Sequence, residues 1–93
     1  MFKRVLWRLR RLVRRGEFVL TLHATDELVA DDLDVVDLER IILTGTIVRR
    51  QNDEQLWSWK YVIHGVTTRR VPAAAVAKIG PTDKLVVITV YRL

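Results

Sequence analysis

The sequence predicts an α+β domain in which about three N-terminal helices pack on one face of a four-stranded antiparallel sheet. Three observations carry this. Apolar residues recur at helical spacing up to about residue 45 and alternate from residue 46 onward, which is the change from a 3.6-residue to a 2-residue period. Glycine and cap residues punctuate the first half, at Gly16, Thr21, Asp34 and Gly45. Four β-branched or aromatic runs divided by short polar turns fill the second half, the pattern of a meander covered by a helical layer. With 93 residues the chain has one modest core, so 1–93 is a single domain with a basic helix over 1–16, a helical pair over 21–45 and a sheet over 46–92.

Residues 1–16 form an amphipathic helix. At about 100° per residue Phe2, Val5, Leu6, Leu9, Leu12 and Val13 fall within an arc of roughly 120°, and every Lys and Arg lies outside it. Arg11, Arg14 and Arg15 suit the negative helix end, and Gly16 takes the left-handed cap. The polar face fits RNA phosphate, a membrane surface or plain solvation, with Arg8, Arg11 and Arg15 the candidate phosphate ligands and Trp7 a possible stacking group. Residues 17–20 read as an extended connector.

Thr21 is the expected N-cap of a second helix that runs to about residue 31 and buries Leu22, Leu28 and Val29 or Ala24. His23 falls at its second position, where a neutral imidazole can serve as a base and where a locally hydrogen-bonded structural ring is the plainer alternative. Asp34 opens a third helix with Asp37 three residues on and Leu33 placed to touch Leu38, followed by an apolar stripe of Val35, Leu38, Ile41 and Ile42 that ends at Gly45. The acids of this region look like a metal cluster only if spacing is ignored. Two are caps and the rest can face water, so no metal or other cofactor is expected.

The strands are expected over 46–51, 57–64, 70–79 and 84–92, with turns over 52–55 and 80–83. Alternation puts Trp57, Trp59, Tyr61 and Ile63 on one face and Ser58, Lys60, Val62 and His64 on the other. In the last strand Val86, Ile88 and Val90 oppose Val87, Thr89 and Tyr91. If helices cover the apolar set, the open face gathers Lys60, Lys78, Thr89 and Tyr91, with His64 and Arg70 near its margins.

Charge sharpens the functional reading. Residues 1–16 carry 7 bases and no acid, 17–54 carry 3 bases and 10 acids, and 55–93 carry 6 bases and 1 acid, giving +7, −7 and +5 for a net +5. Basic faces of this kind engage polyanions or an acidic partner. Absence of cysteine excludes disulfides, thiolate nucleophiles and cysteine-held zinc. No apolar run approaches the roughly 18 residues of a membrane span, so a soluble, cytoplasmic protein is expected.

The residues TLHA before a helix, ILTG at a helix end, WKYVIHG and the terminal VVITVY resemble a domain-of-unknown-function family marked by an S/T-x-H-A motif and a closing I-T-V-Y strand, over residues 18–92. That family is similar to the RelE and MqsR-like toxins. The resemblance implies helices on an antiparallel sheet, metal-free endoribonuclease (mRNA interferase) activity, RNA as partner, and a small zinc-finger antitoxin of the MqsA or YgiT kind. The alternative is a non-catalytic module of the same fold that binds RNA or protein. Carried over, His23 matches the motif histidine, Lys60 and Tyr61 the K-Y of the second strand, and Thr89 and Tyr91 the closing strand. Relatives often place arginines in the helix after H-A. Here Glu27 and Asp31 stand there, which shifts any phosphate contact toward Lys60, Lys78 and Arg92. Metal-free RNA cleavage needs a base for the 2'-hydroxyl, an acid for the leaving 5'-oxygen and cations at the phosphorane. The expected roles are His23 as base or acid, Lys60 and Lys78 as electrostatic stabilisers and Tyr91 as donor or stacking platform, with Arg70 and Arg92 as further RNA contacts.

Overall fold

A computed structural model describes residues 1–53 and 58–93. The element order is α1 (Lys3–Arg14), β1 (Phe18–Leu20), α2 (Leu22–Ala30), α3 (Val35–Thr44), β2 (Thr46–Asp53), β3 (Ser58–Val66), β4 (Pro72–Ile79) and β5 (Leu85–Arg92). The expected turn over 52–55 and the expected orientation of Trp57 fall partly or wholly outside the described residues.

The helices form where their stop and start signals stand. Gly16, at φ 68°, ends α1 in a Schellman turn, its amide donating to the Val13 carbonyl and that of Glu17 to Leu12. Thr21 caps α2 by accepting the Ala24 amide at 3.1 Å. Asp34 and Asp37 close a reciprocal capping box on α3. Leu9, Leu12 and Val13 of α1, Ala24 and Leu28 of α2, and Leu38, Ile41 and Ile42 of α3 enter one core with Ile47, Ile63, Ala73, Ala75, Ala77, Leu85, Val87 and Val90 of the sheet. Helices and sheet are thus two layers around one apolar seam.

The sheet departs from the expected four antiparallel strands. It has five, in the order β1-β5-β4-β3-β2, and is mixed, because β1 pairs parallel with β5 through Phe18↔Leu85, Val19↔Val86 and Leu20↔Val87. The stretch read as a connector is an edge strand. Its backbone amides and carbonyls find partners on β5 rather than in water, and the Glu17 carbonyl continues the ladder by accepting the Leu85 amide. The other four strands form the expected antiparallel meander.

Two further expectations change. Leu22 and Val29 are 79% and 76% exposed. The reason is the anchoring of Thr21, whose amide donates to the Val87 carbonyl and whose hydroxyl donates to Ile88, turning Ala24, Glu27, Leu28 and Asp31 inward instead. The register of β5 skips Ile88, since Val76 pairs with Thr89 and Ala77 with Val87. This bulge puts Val87 and Val90 on the same, helix-facing side, so Val86 exchanges faces with Val87 relative to strict alternation.

Three tight contacts fix the helical layer. At Gly45 an added Cβ would lie 2.5 Å from the Ile41 carbonyl oxygen and 2.6 Å from that of His64, so only glycine lets α3 end against β3. Arg10 of α1 donates from Nη2 to the Gly45 carbonyl at 2.7 Å and from Nε to Ile42 at 3.3 Å, placing a cation on the negative end of α3. Asp37 is 8% exposed, and its Oδ1 accepts from the Thr68 amide (2.9 Å) and hydroxyl (2.7 Å) while Oδ2 accepts from the Asp34 amide (3.1 Å). The Thr68 hydroxyl is the largest influence holding this carboxyl below its ordinary value of 3.8; desolvation opposes it and the backbone amides of Thr68 and Asp34 assist.

Candidate functional site

The helices cover one face of the sheet, and none of the residues on the opposite face joins the core cluster. Register assigns that open face row by row. Thr46, His64, Ala74 and Tyr91 form one row; Arg49, Val62, Val76 and Thr89 the next. Beyond them come Gln51, paired with Lys60, and Lys78, paired with Val86. Lys60 and Lys78 stand side by side, one step past the Tyr61↔Ala77 pair. Val62 and Ala74 are fully buried although, among the described residues, the helices pack on the other face. The face is an apolar floor with polar and basic walls.

Of the predicted catalytic residues, Lys60, Lys78 and Tyr91 therefore share a surface, each half-buried. They do not converge on one point. Lys78 and the Ala74 position beside Tyr91 are four residues apart on β4, about 13 Å along the strand. His64 shares the row of Tyr91 across Ala74, roughly two strand spacings or about 10 Å between backbones. Parity with Lys60 predicts His64 on this face near its margin, and the register places it there, in the row of Thr46, the first residue of β2, and of Tyr91.

His23 takes the second position of α2, as its Thr21 cap predicts. The side chain is 67% exposed and its Nε2 lies 3.2 Å from Oε1 of Glu27, one turn on. That same carboxylate oxygen accepts the Val90 amide at 3.0 Å. An imidazole, a carboxylate and the β5 backbone between Thr89 and Tyr91 are thereby linked. Chemically, the carboxylate engages Nε2 and so leaves Nδ1 as the ring nitrogen it does not hold. His23 is thus tied through Glu27 to the edge of β5 and is not part of the rows of the open face.

Glu27 and Asp31 have a definite task here. Among the described residues no strand neighbours the edge of β5 beyond Val87, and Glu27 and Asp31 accept the Val90 and Arg92 amides, Asp31 Oδ2 at 3.1 Å. They serve as acceptors for backbone donors that a sixth strand would otherwise pair.

The predicted RNA-contacting arginines are dispersed. Arg92 pairs in register with Ala73, a helix-facing residue, and its Nη2 donates to the Asp31 carbonyl at 2.6 Å, so it closes the end of α2 and does not join Lys60 and Lys78. Arg70 is not in β4; it occupies an exposed turn at φ 63°, its amide donating to Thr67. Arg8, Arg11 and Arg15 are exposed on α1, on the far side of the helical layer. Among the described residues no group of three His, Cys, Asp or Glu side chains is arranged to hold a metal ion. No described helix is long and apolar enough to cross a membrane.

Comparison with curated proteins and with solved structures finds no match. A family model described as "Domain of unknown function (DUF4258)" matches residues 20–92, from the last residue of β1 through the last of β5. With helix α2, helix α3 and four of the five strands inside that match, the chain belongs to the DUF4258 family.

Proposed function

We propose that the protein binds RNA on the open sheet face and cleaves it without a metal, as the toxin of a toxin–antitoxin pair related to the RelE and MqsR-like mRNA interferases. The observation that carries this reading is the uncovered face itself, with Lys60, Lys78, His64, Thr89 and Tyr91 above a buried apolar floor and His23 linked through Glu27 to the β5 backbone. Sheets of this size normally present such a face to solvent as scattered polar residues. Here the face carries His64 in the row of Tyr91, while the chain's other histidine, His23, lies on α2 and is tied through Glu27 to the β5 backbone. His23, oriented by Glu27, takes the 2'-hydroxyl proton. Attack of that oxygen on phosphorus expels the 5'-oxygen, which is protonated by His64 or Tyr91, leaving a 2',3'-cyclic phosphate and a 5'-hydroxyl. Lys60 and Lys78 neutralise the neighbouring phosphates. A zinc-finger antitoxin would silence this chemistry by covering the same face.

The spread of the candidates along about 13 Å of strand favours a second reading, a non-catalytic RNA-binding module, because one phosphate cannot touch both ends. A single experiment separates them. RNA incubated with the purified protein in chelator is cut by the wild type, and His23→Ala lowers the rate by about 100-fold or more. Unchanged cutting by His23→Ala removes that residue from the mechanism. Binding without cutting by the wild type selects the module.

A further inference from the structure

A second cationic surface lies on α1, which faces away from the sheet and outside the residues that the family model matches. Lys3, Arg4, Trp7, Arg8 and Arg11 line a groove of about 540 Å³. Trp7 in its middle is 60% exposed and takes no part in the core. The Arg11 guanidinium sits 5.4 Å from the Trp7 ring centroid, and Arg8 makes an exposed ion pair with Asp83 at 3.2 Å. Neither contact commits the cation, since an exposed pair of this kind contributes little and exchanges readily for a stronger anion. Arg10 differs on the same helix. It is half-buried and tied to two carbonyls of α3, which shows what a structural arginine looks like here.

The geometry points to this groove as a site for a single-stranded RNA segment, with phosphates on Arg4, Arg8 and Arg11 and one base stacked on Trp7. Arg4 and Arg8 are about 6 Å apart along the axis and Arg8 and Arg11 about 4.5 Å, so the guanidinium groups form a ladder along one face. Guanidinium forks match phosphate oxygens bidentately, and an exposed indole flanked by cations is the usual platform for a base in sequence-tolerant single-strand binding. A membrane surface fits less well. An interfacial helix inserts its apolar stripe, and Leu9, Leu12 and Val13 are already buried in the core. An acidic peptide would satisfy the arginines but leave the indole without a stacking partner.

The inference does not depend on cleavage at the sheet face, and its test keeps the two apart. In a Lys60→Gln/Lys78→Gln background, a fluorescent single-stranded RNA of mixed sequence, 2'-O-methylated so that it cannot be cut, is titrated by anisotropy at several salt concentrations. Trp7→Ala should weaken binding about tenfold. Arg4→Gln/Arg11→Gln should weaken it further and lower the slope of log affinity against log salt by about 1.4. These side chains are exposed, so urea midpoints should stay at the parent value and report that the fold is intact. Parental affinity and salt slope in both variants would overturn the proposal. So would tighter binding of poly-glutamate, or of phosphatidylserine vesicles, than of the RNA with sensitivity to the same substitutions. Loss of cutting on unmodified RNA in His23→Ala, with this binding unchanged, concerns the sheet face alone.

Discussion

Asp37 is the residue whose replacement tests the packing argument most directly. It accepts three hydrogen bonds within 3.1 Å, two from Thr68 and one from Asp34, and so pins the start of α3 to the β3–β4 connection. Bonds to an ionised acceptor contribute roughly 1.5–3 kcal/mol each, but three on one carboxylate do not add, and about 3 kcal/mol is expected for Asp37→Ala. Asp37→Asn keeps an oxygen for Thr68 while turning an amide donor toward the Asp34 N–H, for a loss of about 1–2 kcal/mol. With a urea slope of about 1 kcal/mol/M for a domain this small, the midpoints fall by about 3 M and by about 1–2 M. The pH dependence has a definite sign. The folded carboxyl titrates below its ordinary value of 3.8, so its stabilisation is full above that value and is lost as pH falls through the lower folded one. The gap between wild type and Asp37→Asn should be constant near neutrality and narrow in acid. A gap that stays the same well below pH 3.8 would refute the assignment of this carboxylate as the ionised hub.

Other substitutions probe separate joints. Gly45→Ala forces a Cβ against two backbone carbonyl oxygens at 2.5 and 2.6 Å and should cost about 3 kcal/mol in urea unfolding, with Gly45→Val worse. Glu27→Ala leaves the Val90 amide without its acceptor and should cost about 1–3 kcal/mol, whereas Glu27→Gln retains that bond and should cost less than about 1; hydrogen exchange at Val90 distinguishes them. Arg10→Ala strips the Gly45 and Ile42 carbonyls of a charged donor, for a loss of about 1–2 kcal/mol that Lys recovers only in part. His64→Ala, on the open face, should slow RNA cutting by about 100-fold under the ribonuclease reading and leave the urea midpoint within about 1 M.

The helical half was readable because its signals are local. Gly16, Thr21 and the Asp34 and Asp37 pair each act within a few residues, whereas Gly45, extended rather than left-handed, is required by the close approach of the His64 carbonyl on β3. The meander was readable from alternation and turns for the same reason. What escaped depends on partners far along the chain. β1 is three residues long and exists only because β5, arriving 67 residues after the start of its pairing, presents an edge to it. The bulge at Ile88 exchanges Val86 and Val87 between faces, and no alternating pattern can announce a skipped residue. Acids that seemed to subtract phosphate ligands, Glu27 and Asp31, are acceptors for β5 amides, and Arg92 is held by one of them. The candidate site was half legible. Parity alone put Lys60, Lys78, His64 and Tyr91 on one surface, but that His64 and Tyr91 share a row through Ala74 follows only from the register of β3, β4 and β5.

The pairing of Glu27 and Asp31 with Val90 and Arg92 works because two different repeats nearly coincide. Four helical residues advance about 6 Å and two strand residues about 6.6 Å, so carboxylates one turn apart meet every second amide on one strand edge. The mismatch of about 0.6 Å accumulates with each turn, which limits such a match to two or three rungs. The nine residues of α2 span about that distance. The helix therefore behaves as a vernier on β5, with Thr21 at Ile88 as its zero and the two acids as its graduations. His23 sits between the zero and the first graduation, and its position relative to the sheet is set by rungs that touch no substrate. Shortening a graduation, as in Glu27→Asp, should move the imidazole without altering any residue of the open face.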